Sequence, residues 1–347
     1  MTWGNAAASG PRLGRRRLLS AGLAAMAVLL AVTPLPGLRR PLLVSAGSEL
    51  EDSLRRLEPE FEHQERGIDL RWQVEGSQDM VNNNLEPSPQ RARVLIPANE
   101  QLLQDLTRQA RALGQPEPFL APPTTVARTV LVAVAWPERA DRLFADGRFA
   151  WWRLRQAVRA GRWPSLGAPE DWGSFKLRLS DPLRSNSAQL VLDLWSRPPS
   201  DDADFHGLRR AIYRPARSTD LLLREFISGG PNDGDLAFVY EAGALRRADQ
   251  ARQRWPGGYR LLVSDPTIAM SLAAAVLRGQ ADGGEGDGER FVRFLAGPVA
   301  QAVLRQEGFR DASGRGGSAA GERVRKLPPP TPAQREELLR RWQQAGD

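Results

Sequence analysis

Apolar and polar positions recur along this chain with clear periods. Residues 41–46 form a short apolar strand that runs through Gly47-Ser48-Glu49 into a helix over about 50–64. In that helix Leu50, Leu54, Leu57 and Phe61 share one face. Ile68–Val74 alternates as a second strand and ends in Glu75-Gly76-Ser77-Gln78-Asp79-Met80. Residues 92–96 are a third strand, after which Pro97-Ala98-Asn99 caps a helix from Glu100 to about Leu113. Three successive strand-to-helix turns thus place Ser48, Ser77 and Asn99 at helix starts. In a parallel α/β sheet such turns share the carboxyl edge, where open sheets bind ligands.

Residues 116–123 are Pro-rich and read as a connection, and 126–136 is the strongest β segment, apolar on both faces and so a central strand. Short helices are predicted at 139–144 and Trp151–Ala160. The stretch 175–195, FKLRLSDPLRSNSAQLVLDLW, begins as a half-buried strand (175–179) and breaks at Ser180-Asp181-Pro182. It resumes after Ser185-Asn186-Ser187 as an apolar helix with Leu190, Leu194 and Trp195. A strand that opens through a Ser/Asn turn into a helix presents free backbone N–H groups and the positive end of a helix dipole to an anion or other polar ligand. Simple capping by Ser185 and Ser187 is the plainer reading of the same residues. Farther on, 201–228 is helical by period. A turn at 229–234 leads to a buried strand at 235–240 ending in Tyr240, and 259–264 is a further strand. Helices are expected at about 268–278 and 290–306. Residues 311–321 read as a Gly/Ser linker, and a polar helix, Pro332–Gln344, follows Pro328-Pro329-Pro330 as a solvated tail or a docking element for a partner.

At 347 residues and 41% hydrophobic content the chain is long enough for two lobes with proper cores. Its net charge of +7 has the sign of a nucleic-acid binder, but residues 1–40 hold six arginines and no acid, so the body is nearly neutral. No nucleic-acid surface is implied. The six arginines flank a charge-free stretch at 18–38, the pattern of a signal peptide or of an uncleaved membrane anchor, with a loose twin-arginine motif at Arg15-Arg16-Arg17. Export is expected, to the periplasm or the outer face of the cytoplasmic membrane. The absence of cysteine removes disulfides, thiolate metal sites and a lipid-anchored cysteine.

Catalytic chemistry has little support. The two histidines, His63 and His206, have no metal-ligand spacing, no Ser sits in a G-x-S-x-G elbow, and 281–288 lacks the closing Glu of a calcium loop. The ten tryptophans are assigned to core packing rather than to a sugar platform. No cofactor, metal or catalytic residue is implied, and a non-enzymatic monomer is expected.

The ordered set SAGSE (45–49), EGSQDM (75–80), IPANE (96–100), SDPLRSNS (180–187), DLAFVYE (235–241) and FLAGPVAQAVLRQEGFR (294–310) resembles extracellular solute-binding proteins of the ABC-transporter type. Within them it is most similar to the type 2 periplasmic-binding fold around molybdate-, sulfate- and phosphate-binding proteins. The resemblance spans residues 42–310 and implies two α/β lobes with mixed sheets and a hinge. Lobe one would comprise 41–127 and 263–327, lobe two 128–262, with hinge strands near 128–133 and 260–264 and residues 328–347 as a polar tail. It further implies a small polar solute, a tetrahedral oxyanion by first preference, held by Ser48, Ser77, Ser185, Asn186, Ser187 and Tyr240 and delivered to an ABC permease. Glu49, Asp79 and Glu241 depart from this picture, because carboxylates facing the cleft repel a dianion. The alternative is a membrane-anchored sensor or assembly module that binds a protein, a sugar or an amine without transport.

Overall fold

The computed structural model describes Met1 and residues 39–85, 91–197, 201–279 and 286–346; at Ser77 and Gln78 it describes the backbone alone. The leader at 18–38 and most of the Gly/Asp-rich loop at 281–288 lie outside the described residues.

Nine strands form one curled mixed sheet. They are β1 (Arg40–Ala46), β2 (Ile68–Val74), β3 (Val94–Ile96), β4 (Thr124–Ala135), β5 (Leu177–Arg178), β6 (Leu236–Tyr240), β7 (Arg260–Leu262), β8 (Thr267–Val276) and β9 (Lys326–Leu327). The path runs β2-β1-β3-β8-β4-β6-β5, with β7 added to β4 and β9 to β8. β1 pairs in parallel with β2 and β3, so the turns after all three lie at one edge, as expected. β4 is the element common to both halves of the path. Thr124–Val130 pairs antiparallel with β8, and Leu131–Ala135 continues antiparallel to β6, with β7 on its other side. An uninterrupted apolar run suits a strand covered on both faces, and every residue from Val130 to Ala135 is buried.

Four buried apolar clusters cover the two faces of the path. On one part, Leu54, Leu57 and Phe61 of α1 (Glu51–Gln64) meet Phe291 and Phe294, the Phe61 and Phe291 rings standing edge-on at 5.0 Å. The opposite face is filled by Leu102, Leu103 and Leu106 with Phe119. Around β6, Trp151 stacks on Phe238 at 5.4 Å, and Trp163 and Trp195 are fully buried. Trp136 stacks on Phe226 at 4.6 Å on the far face. Most tryptophans are therefore packing residues, while His63 and His206 are exposed on helices.

Several expectations are corrected. The predicted helix at 268–278 is strand β8: Ile268, Met270, Leu272, Ala274 and Val276 are buried between β4 and β3, and ladder pairing overrides the helical preference of its alanines. The helix expected at 290–306 is two helices, Asp287–Ala296 and Pro298–Gln306, broken at Gly297, with Pro298 in the first turn where its missing N–H costs nothing. The strand at 175–179 shrinks to Leu177–Arg178, and Arg178, expected on its wet face, is buried on Asp233 (3.0 Å) and Glu225 (2.6 Å). The linker at 311–321 is tied down: Ser318 donates to the Glu241 carboxylate from its amide (3.1 Å), and Arg310 donates to Glu241 through two nitrogens at 2.9 Å.

The C-terminal tail is no tail. Helix Pro332–Gln344 starts with a capping box at Thr331 and buries Leu338 and Trp342 in the cluster around β6. Its Arg335 pairs with Asp105 at 2.5 Å, and Arg209 donates to the Trp342 carbonyl at 2.7 Å. Trp342→Ala is expected to destabilise the protein by about 3–5 kcal/mol, seen as a lower urea midpoint; an unchanged midpoint would mean that the helix contributes nothing to the core.

Candidate functional site

A cleft of about 390 Å³ is lined by residues from six segments that end strands or open helices. From the β1–β3 side come Gly47, Ser48 and Glu49, then Val74, Glu75, Gly76 and Asp79, and Ala98. From the β5–β6 side come Arg184, Ser185 and Asn186, then Arg217, Ser218 and Thr219, and Tyr240. At one rim the walls approach closely: a Cβ added to Gly76 would sit 3.4 Å from the Arg184 carbonyl oxygen.

The second wall is cationic in character. Helix α6 (Asn186–Ser196; with α2 Ser77–Asn83, α3 Gln101–Ala112, α4 Pro137–Leu143 and α5 Trp151–Ala160 before it) begins after Ser185 and has no acid in its first turn. Helix α8 (Thr219–Gly229, after α7 Asp202–Ala211) begins after Ser218, whose hydroxyl accepts from the Leu221 amide. First-turn amides have no intrahelical acceptor, so both helix ends offer donors. Asp220 in the first turn of α8 is held by Arg224 (2.6 Å), Arg246 (3.1 Å) and Arg247 (3.1 Å), which offset much of its charge. Arg184 and Arg217, both exposed at the rim, make no ion pair with a described residue.

The first wall is acidic. Glu75 accepts from Ser45 and, at 2.7 Å, from Asn83, and Asp79 is exposed beside it. Glu49 is the exception to ordinary behaviour: it is 5% exposed, and its Oε1 has no donor among the described residues. Burial pushes its carboxyl from 4.5 up to about 7, with the nearby Asp220 adding to the rise, against the pull of a hydrogen bond from its own backbone amide and, more weakly, of Arg246. Glu241 behaves differently. It turns into the interior to Arg310 and takes no part in the cleft.

Of the residues expected at the site, Ser48, Ser185, Asn186 and Tyr240 line the cleft together. Asn186 donates to the Tyr240 hydroxyl at 3.0 Å, and burial beside Glu49 raises the Tyr240 hydroxyl well above its usual range. Ser77 opens α2 next to the cleft. Ser187 does not line the cleft: its hydroxyl lies in a buried cluster with Ser180 (3.0 Å), Ser185 (3.2 Å) and Thr219 (2.6 Å). Asn99 is also withdrawn, accepting from the Gln101 amide at 3.1 Å beside the lining residue Ala98. Arg184, Arg217, Ser218 and Thr219 are additions. The run Arg217-Ser218-Thr219-Asp220 before apolar Leu221-Leu222-Leu223 is itself a helix-start signal, hidden by treating 201–228 as one helical region.

The chain matches the family model for bacterial extracellular solute-binding proteins over residues 42–310. It belongs to that family. No protein of curated function matches it by sequence. Among solved structures it is similar to the sulfate-binding protein SubI from Mycobacterium tuberculosis (16% identity, 84% of this chain and 94% of that one, TM-score 0.57). It is also similar to iron-bound HitA from Pseudomonas aeruginosa (14%, 89% and 100%, TM-score 0.64). A third is AfuA from Actinobacillus pleuropneumoniae with fructose-6-phosphate bound (14%, 88% and 98%, TM-score 0.62). At these identities the likeness is one of fold, that of ABC-transporter binding proteins. Among the described residues no group of three or more His, Cys, Asp or Glu side chains stands in metal-holding geometry, and no helix is long and apolar enough to cross a membrane.

Glu49 makes the protein's stability depend on pH. The folded state holds this proton more tightly than the unfolded chain. Stability therefore falls as pH rises from about 4.5 to about 7 and is level above, a loss on the order of 3 kcal/mol. Glu49→Gln is expected to raise the melting temperature at pH 8 and to leave it nearly unchanged at pH 5; equal shifts at both pH values would show that Glu49 does not titrate in this range.

Proposed function

We propose that this solute-binding protein captures a small solute bearing a tetrahedral oxyanion and hands it to an ABC permease on the outer side of the cytoplasmic membrane. One observation carries the reading: two arginines without an ion pair among the described residues and the N-termini of two eleven-residue helices converge on one wall of the cleft. Preorganised donors of this kind hold anions without further rearrangement. Micromolar affinity requires only about −8 kcal/mol, within reach of a few charge-assisted hydrogen bonds in a closing cleft. The names of two similar structures, a sulfate-binding protein and one holding a sugar phosphate, support an oxyanion. Iron is not favoured, given the donor set of the described residues.

The mechanism is closure of the two lobes, residues 41–127 with 263–327 against 128–262, by bending where β4 passes from β8 to β6. Ligand favours the closed state because it touches both walls. The membership of an extracellular family and the arginine-flanked apolar leader together support export. Ser48, Ser77, Ser185, Asn186 and Tyr240 are assigned to the ligand along with Arg184 and Arg217. Ser187 and Asn99 act behind them, by fixing the turns.

Purified protein screened by thermal shift against sulfate, molybdate, phosphate, phosphomonoesters, neutral sugars and polyamines is expected to respond to an oxyanion. At a thousandfold excess over Kd the gain is about 4 kcal/mol. Arg184→Ala and Arg217→Ala should each weaken that anion about tenfold, close to 1.4 kcal/mol, with the melting temperature of the free protein unchanged. Full affinity in both variants, or a response to sugars or polyamines alone, refutes the oxyanion reading.

A further inference from the structure

The two walls of the cleft have opposite character. Arg184, Arg217 and the first turns of α6 and α8 stand on one side; Glu49, Glu75 and Asp79 stand on the other. Glu49 is the decisive member, a buried carboxylate with an oxygen that no described group satisfies. A buried acceptor without a donor is costly in a native structure, and among the described residues Glu49 is the one such side chain that lines the cleft. The space of about 390 Å³ equals the liquid volume of about a dozen waters, and a bare tetrahedral oxyanion fills only a small part of it. Above about pH 7, where Glu49 is ionised, an aprotic dianion that reached the arginines would leave Glu49 unsatisfied and would face three carboxylates. A molecule that carries an anionic group at one end and hydrogen-bond donors at the other satisfies both walls at once.

We infer that the cleft selects an organic anion with its own donors, a phosphomonoester of a polyol or an amino alcohol, its phosphate on Arg184, Arg217 and the two helix ends and its hydroxyl or ammonium group on Glu49. This rests on the oxyanion reading above and narrows it. Glu49 is then the specificity residue, and it acts by rejecting ligands that cannot donate to it. The groups that face it are its own backbone amide, Gly47, over which the carboxylate lies, Tyr240, Asp220 and Arg246, with Glu75 and Asp79 lining the same wall of the cleft. None of these presents a donor to its Oε1.

The test is calorimetric titration of the purified full-length protein and of Glu49→Gln with four probes: glycerol 3-phosphate, phosphoethanolamine, inorganic phosphate and sulfate. The wild-type protein is expected to bind one of the two organic esters at least tenfold more tightly than inorganic phosphate or sulfate. Preference for the glycerol ester identifies a hydroxyl as the donor, and preference for phosphoethanolamine an ammonium. Glu49→Gln should narrow the ratio of ester to sulfate affinity at least tenfold, and Glu49→Asp should keep the ester preference while weakening it. Sulfate or inorganic phosphate binding as tightly as both esters in the wild type overturns this inference and leaves the oxyanion reading standing. An unchanged ratio in a folded Glu49→Gln variant overturns the role of Glu49. No binding of any of the four, with a sugar or polyamine bound instead, overturns the oxyanion reading and this inference with it.

Discussion

The cleft exists because one strand belongs to both halves of the sheet. β4 spends Thr124–Val130 against β8 and Leu131–Ala135 against β6 and β7, so the turns after β1, β2 and β3 and those before α6, α8 and Tyr240 are hung from a single buried ribbon. Other elements lock onto its middle. The amide and carbonyl of Arg128 exchange hydrogen bonds with Arg310 at 2.9 and 2.8 Å, and the Thr129 hydroxyl accepts from the Ala242 amide at 3.2 Å. The Arg310 side chain then grips Glu241, which follows the cleft residue Tyr240. A charge pair so buried is weak as a source of net stability but severe when broken from one side. It fixes the direction in which Tyr240 leaves β6.

This arrangement sorts the carboxylates that puzzle a reader of the sequence. Glu49, Asp79 and Glu241 all neighbour presumptive ligand positions, and nothing in local spacing separates them. Glu241 is turned inward because Arg310, 69 residues away, meets it there. Glu49 has no such partner among the described residues, since Arg246, whose charge acts on it, is shared with Asp52 and Asp220 at 3.2 and 3.1 Å. Which of these carboxylates the scaffold neutralises is thus decided by arginines distant in sequence.

The same logic sets what could be read from the chain. Ile68–Val74, Trp151–Ala160 and Pro332–Gln344 are legible because a hydrophobic period or a capping box specifies them locally. β8 is not, because an apolar stretch rich in alanine suits a buried helix as well as a buried strand until its neighbours are known. Ser48, Ser185, Asn186 and Tyr240 could be found because each ends a strand or opens a helix. Arg184 and Arg217 could not. What they lack, a carboxylate partner among the described residues, is visible only in the folded chain, where many of the forty arginines beyond residue 40 have found theirs. Burial of Arg178 and docking of the C-terminal helix are hidden for a related reason: Asp233 and Glu225 for the one, Asp105 for the other, come from distant segments.

A protein optimised for stability alone would not place a glutamate where burial drives its proton affinity to near neutrality and leaves an oxygen without a donor. Most other buried charges here are compensated: Arg139 by Asp235 at 2.9 Å, Arg178 twice, Asp220 three times, Arg310 by both oxygens of Glu241. Unsatisfied buried polar atoms occur in the scaffold too, Ser53 Oγ and Glu289 Oε2 among them, but Glu49 is the one that lines the cleft, where stability given up can serve selectivity. It stands on the acidic wall, opposite the arginines. An anion site with only helix ends and arginines would hold any oxyanion of suitable size; setting an unsatisfied carboxylate across from them makes occupancy depend on the rest of the molecule that carries the anion.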